Sequence, residues 1–285
     1  MNPTADPAAA SCREGQAPPG QAAPFQGPCR WLISLDYDGT LRAENGSPVP
    51  AEFLQLMSRW RPLGVRWGIN TGRALPLLVR ELRQCCRYMP DFICTCERYS
   101  YWQKGDGILL PATELNEQTT RANLALRQRM APQLHRELDR LMKRHPDIEW
   151  LIDPADPLSI LTPDSDTMEK LVPLLRPIQR EFPGVSTQRA GRFMRFSDAR
   201  FNKGTALANV ADAWQVAPQR LVIIGDGHND LDAFSLFPEA FCAAPGGAHP
   251  EIVAYLREHG GYLSRGPGVM EALGHWARLR LNQAL

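Results

Sequence analysis

The sequence predicts an α/β fold, a parallel-sheet core built in two pieces with an α+β module inserted between them. Three observations predict it. Short apolar runs that end in polar clusters alternate with helical periodicity from residue 30 to residue 96. The order then changes to helix, strand, strand, helix, strand, strand, and after residue 200 the first pattern resumes. Strands alternating with helices place parallel strands side by side, with the helices covering both faces.

The first element is Trp31-Leu32-Ile33-Ser34-Leu35, a short apolar run that suits a buried strand and leads straight into Asp36. A helix is expected over 50–61, where Phe53, Leu54, Met57 and Trp60 recur at helical spacing. A second strand, 65–69, ends at Asn70-Thr71-Gly72-Arg73, and a helix over 74–87 and a strand over 91–96 follow. Residues 119–144 read as a helix that Pro132 must start or kink, with Met130, Leu134, Leu138, Leu141 and Met142 on one face. Short strands at 148–152 and 157–162 come next. The amphipathic stretch 165–182 contains Pro173 and Pro177, each costing about 3 kcal/mol inside a helix. Strands at 184–189 and 192–197 close the module. A helix over 203–214, strands at 221–224 and 241–244, and two last helices complete the chain.

Composition narrows the function classes. The 285 residues carry 32 basic and 31 acidic side chains, a net charge of +1 that argues against nucleic acid or an anionic membrane as a partner. No stretch approaches the roughly 20 apolar residues of a spanning helix. Residues 1–28, rich in Pro, Ala, Gly and Gln, read as a disordered tail. The seven cysteines form no CxxC pair, so buried, reduced thiols of a cytoplasmic protein are expected rather than a zinc site. No GxGxxG follows the first strand, which argues against a plain dinucleotide-binding module.

Four polar clusters sit at strand ends or helix starts, where open α/β sheets place ligands. Asp36-Tyr37-Asp38-Gly39-Thr40 aims two carboxylates and a glycine turn at one crevice. Asn70-Thr71-Gly72-Arg73 offers a hydroxyl and free N–H groups at a helix start, which suits either a phosphate cradle or a simple cap. Lys203 opens a helix against the dipole; it is either a solvated charge or the partner of an anion. Gly225-Asp226-Gly227-His228-Asn229-Asp230 sets two carboxylates in a strand-to-helix turn, a donor set for a hard cation.

Taken together, DxDGT, a threonine motif, a lysine motif and GDxxND, in that order, resemble the haloacid dehalogenase-like hydrolase superfamily. The resemblance implies a Rossmann-like core over 29–112 and 199–285. It also implies an α+β cap domain over 113–198, of the type two kind of the sucrose-phosphate phosphatase, mannosylglycerate-phosphate phosphatase and Cof-like branches. It implies Mg²⁺ held by Asp36, the backbone carbonyl of Asp38 and Asp226, with Asp230 in the outer shell. Asp36 is then the nucleophile, Asp38 the acid/base, and Thr71, Gly72, Lys203 and Asn229 the phosphate-binding set, with Arg73 reaching either phosphate or an ion pair. The implied substrate is a small-molecule phosphate ester, foremost a sugar phosphate such as a disaccharide 6-phosphate. A phosphotransferase or mutase using the same nucleophile, and a non-catalytic binding protein, are the rival readings. The family commonly carries Asn-Gly after the third strand; here that position reads Cys96-Glu97-Arg98. On the last strands of the cap, Gln188, Arg192 and Arg195 are expected to face solvent, with hydroxyl binding as the alternative.

Overall fold

The computed structural model describes residues 29–42, 48–85, 89–104, 108–153 and 156–281. The tail expected over 1–28 lies outside them. The first half runs β1 (Trp31–Leu35), α1 (Ala51–Trp60), β2 (Val65–Asn70), α2 (Leu75–Cys85), β3 (Phe92–Thr95), β4 (Tyr99–Lys104), β5 (Ile108–Pro111) and α3 (Thr113–Arg144). It continues with β6 (Leu151–Ile152), β7 (Ser159–Leu161), α4 (Ser165–Arg180), β8 (Val185–Ala190) and β9 (Phe193–Asp198). The last part runs α5 (Lys203–Ala213), β10 (Leu221–Ile224), α6 (Leu231–Leu236), β11 (Phe241–Ala244), α7 (Pro250–His259), β12 (Tyr262–Leu263) and α8 (Met270–Trp276).

Two sheets result. The larger has the order β12-β11-β10-β1-β2-β3-β4-β5 and is parallel from β12 to β3. β1 lies at its centre, every residue of it buried, with Leu35 opposite both Ile69 and Ile224. The ends of β1, β2 and β10 therefore open side by side. Helices α1 and α8 cover one face through Phe53, Met57, Leu273 and Trp276, and α5 and α7 cover the other through Leu207, Val210, Ile252 and Leu256. No described helix is long and apolar enough to cross a membrane.

The smaller sheet, β6-β7-β9-β8, is antiparallel throughout. Ile160, Met194 and Phe196 bury one face against Met130, Leu134 and Leu138 of α3 and Met168, Leu171 and Leu175 of α4. Its other face is polar, and Gln188, Arg195 and Ser159 stand in register across β8, β9 and β7.

The two-piece core and the inserted module match the fold the sequence predicts, with corrections of detail. β4 and β5 form an unforeseen antiparallel hairpin on the edge of the core sheet. Helix α3 begins at Thr113, six residues ahead of the expected 119, and its start packs on the core through Leu115. It runs through Pro132, as α4 runs through Pro173 and Pro177. All three prolines face solvent, where water satisfies the carbonyls that a missing N–H leaves free. Met142 is 46% exposed rather than on the buried face. Helix α2 spans Leu75–Cys85, starting one residue after the expected 74, and residues 86–87 of the expected span lie outside the described residues.

Candidate active site

The loop after β1 turns sharply to bring its carboxylates over the sheet. Gly39 makes that turn with φ of +79°, and a Cβ there would lie 2.5 Å from Asp226 Oδ2, so both the conformation and the space require glycine. Gly225 is equally constrained: a Cβ would meet the Asp230 carboxyl carbon at 2.1 Å. Backbone fit thus binds the first and last motifs into one crevice.

In it Asp36, Asp226 and Asp230 converge, one oxygen of each within 4.8 Å of the others. Thr40 Oγ1 donates to Asp226 Oδ1 at 2.5 Å, and the Gly227 N–H donates to Asp230 Oδ2 at 3.0 Å. Lys203 is fully buried, and its ammonium donates to Asp36 Oδ1 at 2.6 Å and Asp230 Oδ1 at 2.7 Å. The solvated-charge alternative for Lys203 is therefore set aside. Its position at the start of α5 is offset by a capping box, in which Asn202 and Thr205 each accept from the other's backbone N–H at 2.9 Å.

Burial raises the Asp36 carboxyl well above the usual range; Lys203 lowers it, and Asp230 and Asp226 add to the rise. Asp226 is pushed up to about 6 by burial and then by Asp230. For Lys203, burial lowers the ammonium, but Asp230 and Asp36 outweigh it and the net shift is upward. Three carboxylates facing one ammonium leave the pocket short of positive charge. A hard divalent cation with oxygen ligands answers that shortage, so the donor set fits the expected metal.

The remaining expected residues are placed as follows. Thr71 is buried at the end of β2, its Oγ1 accepting from the Arg73 N–H at 3.2 Å, and Asn70 donates to the Lys203 carbonyl at 2.9 Å. Gly72 lies against Glu97, whose Oε1 would be 3.2 Å from a Cβ at that position. Asn229 donates to the same Glu97 Oε1 at 2.7 Å, so in this arrangement its amide serves Glu97. The Asp38 side chain stays outside the three-carboxylate group. Arg73 grips it from Nε at 2.5 Å and Nη2 at 2.7 Å, and also reaches Glu81 Oε1 at 2.7 Å. Arg73 is an ion-pair residue here.

Sequence reasoning missed a second polar cluster. Cys96 and Glu97 adopt φ of 49° and 63°, a left-handed turn that stands where the family commonly has Asn-Gly. It delivers the buried Glu97 carboxylate to the underside of the cap, where Arg195 Nη1 approaches at 3.4 Å. Asp156 binds Arg195 Nε at 2.6 Å, and Arg98 donates to Ser197 Oγ at 2.6 Å. Gln188 donates to the Phe201 carbonyl at 3.0 Å. Gln188 and Arg195 are 1% and 6% exposed, which corrects the solvent-facing expectation: the polar face of the cap sheet is covered by the core. Arg192 does lie in an exposed turn and donates to the Pro163 carbonyl. The missing Asn-Gly was a usable pointer to Glu97; Asp156 carried no sequence signal.

Comparison with known proteins agrees with this architecture. A sucrose-phosphatase from Synechocystis sp. PCC6803, solved with sucrose and phosphate, is 17% identical with a TM-score of 0.65, over 88% of this chain and 98% of that one. The haloacid dehalogenase-like hydrolase protein yhjK from Bacillus subtilis is 13% identical with a TM-score of 0.58, over 88% and 92%. A member of a phosphoryl-transfer superfamily is 15% identical with a TM-score of 0.59, over 87% and 99%. These likenesses establish the fold. The sequence profile of the family described as haloacid dehalogenase-like hydrolase matches residues 101–259, a span that takes in the small sheet, Lys203 and the Asp226–Asp230 turn. The chain belongs to the haloacid dehalogenase-like hydrolases.

Proposed function

We propose that this hydrolase is a Mg²⁺-dependent phosphatase that cleaves phosphate monoesters through an aspartyl-phosphate on Asp36. The observation that carries the reading is the buried Asp36 carboxylate, fixed by Lys203 beside Asp226 and Asp230. Asp36, the Asp38 carbonyl and Asp226, with Asp230 behind them, would hold Mg²⁺, which would supply charge neutralisation for two anions that otherwise repel.

The chain's own residues do the rest. Lys203 orients the Asp36 carboxylate, whose oxygen forms a bond to phosphorus as the bond to the leaving oxygen breaks. Thr71, Gly72 and Lys203 hold the phosphoryl oxygens, and Asn229 joins them once released from Glu97. Asp38 gives its proton to the leaving oxygen, then takes one from the water that attacks the aspartyl-phosphate, so Asp36 is regenerated and orthophosphate leaves. This requires one Asp38 oxygen to face the leaving group, so the pair with Arg73 opens when substrate enters.

The leaving group in this reading is a sugar, such as a disaccharide phosphorylated at its 6 position. Arg195 and Arg98 face Glu97 and Asp156, so the cap underside is charged but balanced, which suits hydroxyl groups better than an anion or an apolar tail. Gln188 Oε1 and Arg98 Nε are buried without a hydrogen-bond partner, an acceptor and a donor that a hydroxyl group would satisfy once the cap moves to admit it. The solved relative of this fold that was captured with sucrose and phosphate supports the same class. The division into a core (29–112 and 199–285) and a cap (113–198) belongs to this proposal, with the cap closing over the leaving group.

The test is phosphate release from a panel of sugar phosphates, nucleotides and small metabolites with Mg²⁺, using Asp36→Asn as control. Asp36→Asn is expected to abolish turnover and leave the fold intact. Substantial turnover in that variant, or phosphate passed to an acceptor with little released, contradicts the proposal.

A further inference from the structure

A second cluster of metal-ligating side chains lies beside the Asp226–Asp230 turn, separate from the three carboxylates. We propose that His228, His249 and Glu169 form a binding site for a zinc-class divalent cation that joins the cap helix α4 to the core. The site does not depend on the phosphatase reading.

Its three members come from separate elements. His228 stands in the tight turn His228–Asp230 that follows β10, His249 immediately precedes α7, and Glu169 lies in the second turn of α4. The turn and α7 belong to the core; α4 belongs to the module that covers it. The His228 and His249 Nε2 atoms are 2.9 Å apart, and His249 Nε2 is 3.8 Å from Glu169 Oε1. One ligand atom from each of the three lies within 4.8 Å of the others. Zinc bonds of about 2.0–2.1 Å in tetrahedral geometry set neighbouring ligand atoms roughly 3.4 Å apart, and the two closer spacings straddle that value.

The outer contacts also suit a metal. His228 Nδ1 faces Glu251 Oε2 at 2.7 Å, a carboxylate behind an imidazole. That partner holds the proton on Nδ1 and turns the Nε2 lone pair toward His249, the arrangement typical of metal-bound histidine. Two imidazoles and one carboxylate, partly exposed, form a borderline donor set. It suits Zn²⁺ or Cu²⁺ and is a poor match to Mg²⁺, which prefers oxygen alone.

Without a metal the cluster is held by competing donors. The Glu251 N–H reaches His249 Nδ1 at 3.4 Å, which leaves the His249 proton on Nε2, pointing at His228. Arg189 crowds the same His228 nitrogen and pairs with Glu169 at 2.9 Å. One lone pair thus faces two donors. On metal entry the His249 proton moves from Nε2 to Nδ1 through solvent, with no net release, and the long 3.4 Å contact is given up. The Arg189 guanidinium, already a cation at this spot, swings out.

The test is Zn²⁺ titration of the full chain under excess Mg²⁺, with a chromophoric chelator as competitor, and the Cu²⁺ EPR spectrum as an independent readout. One equivalent and coupling to two nitrogens are expected. His249→Ala should weaken binding about 100-fold or more, since even an outer-shell loss costs about 10–100-fold. Arg189→Gln, which removes a like charge, should tighten it. If His249→Ala does not fold, Glu169→Gln on the half-exposed α4 surface should weaken binding about tenfold and serves in its place. Equal affinity in the wild type and the ligand variant, no nitrogen coupling, or Zn²⁺ uptake that excess Mg²⁺ suppresses would each overturn the proposal.

Discussion

Replacing Lys203 with methionine keeps most of the side chain's length and deletes its charge. The ammonium is fully buried, 2.6 Å from Asp36 and 2.7 Å from Asp230. At an effective dielectric of about 20, each contact amounts to roughly 6 kcal/mol of attraction, most of it offset by the cost of removing three charges from water. What the substitution exposes is the uncompensated remainder, because the carboxylates stay buried after their partner has gone. Breaking such a pair costs about 3–5 kcal/mol, a large part of the roughly 5–15 kcal/mol that holds a domain together. The measurement is urea unfolding followed by tryptophan fluorescence, in chelator and again in excess Mg²⁺. Lys203→Met should lose about 3–5 kcal/mol in chelator and recover more on adding Mg²⁺ than the wild type gains, because the added cation does part of the missing ammonium's work. A loss below about 1 kcal/mol would refute the reasoning, since it would mean that the carboxylates are already neutral and need no partner.

Three further outcomes follow from named contacts. Asp38→Asn should reduce turnover of alkyl phosphates by about 10²–10⁴-fold and of activated aryl phosphates far less; equal losses in the two kcat values contradict an acid role. Gly39→Ala should cost about 1–2 kcal/mol from its left-handed φ alone, and the Cβ should push Asp226 aside, read as a higher Mg²⁺ requirement; an unchanged requirement contradicts the close approach. Burial raises Asp156, but Arg195 and Arg98 outweigh it and hold its carboxyl below the usual range. A depressed folded value stabilises above the unfolded pKa of about 3.9 and is lost as pH falls through the folded one. Asp156→Asn should therefore cost about 1–3 kcal/mol near neutral pH, with the gap closing in acid. A gap constant with pH contradicts the pairing.

Much of the fold and of the carboxylate centre could be read from the residues because both depend on local pattern. The apolar runs of β1, β2 and β10 end at Asp36, Asn70 and Gly225, and parallel pairing sets those ends side by side. The hairpin β4–β5 escaped because its buried face is not uniformly apolar. Ser100 alternates with Trp102 there, and its hydroxyl is satisfied by the Ala206 carbonyl far along the chain. The proline-bearing helices escaped because the cost of an interior proline depends on which face it occupies, and sequence alone does not fix that face. Lys203 was visible only as an oddity against the helix dipole; its partners lie 167 and 27 residues away. Gln188 and Arg195 read as solvent-facing because polar alternation in a strand normally means water, yet Arg195 meets Glu97, 98 residues earlier in the chain, and Gln188 donates to the Phe201 carbonyl.

The 167-residue separation of Asp36 and Lys203 has a consequence for how the protein is made. Translation at about 5–20 residues per second delivers the lysine roughly 10–30 s after the aspartate. Throughout that interval β1, the central strand of the large sheet, lacks its β10 neighbour, so an apolar edge waits unpaired beside a carboxylate with no counter-charge. The segment from α3 to β9 emerges in between with its own apolar cluster, and if it folds first it shortens the loop that the two halves of the sheet must close. Asp36 is among the earliest of the described residues to be synthesised and among the last to find its surroundings. Ribosome-bound chains that stop before Lys203 should accordingly be aggregation-prone and recruit chaperones, while chains released past β10 should not.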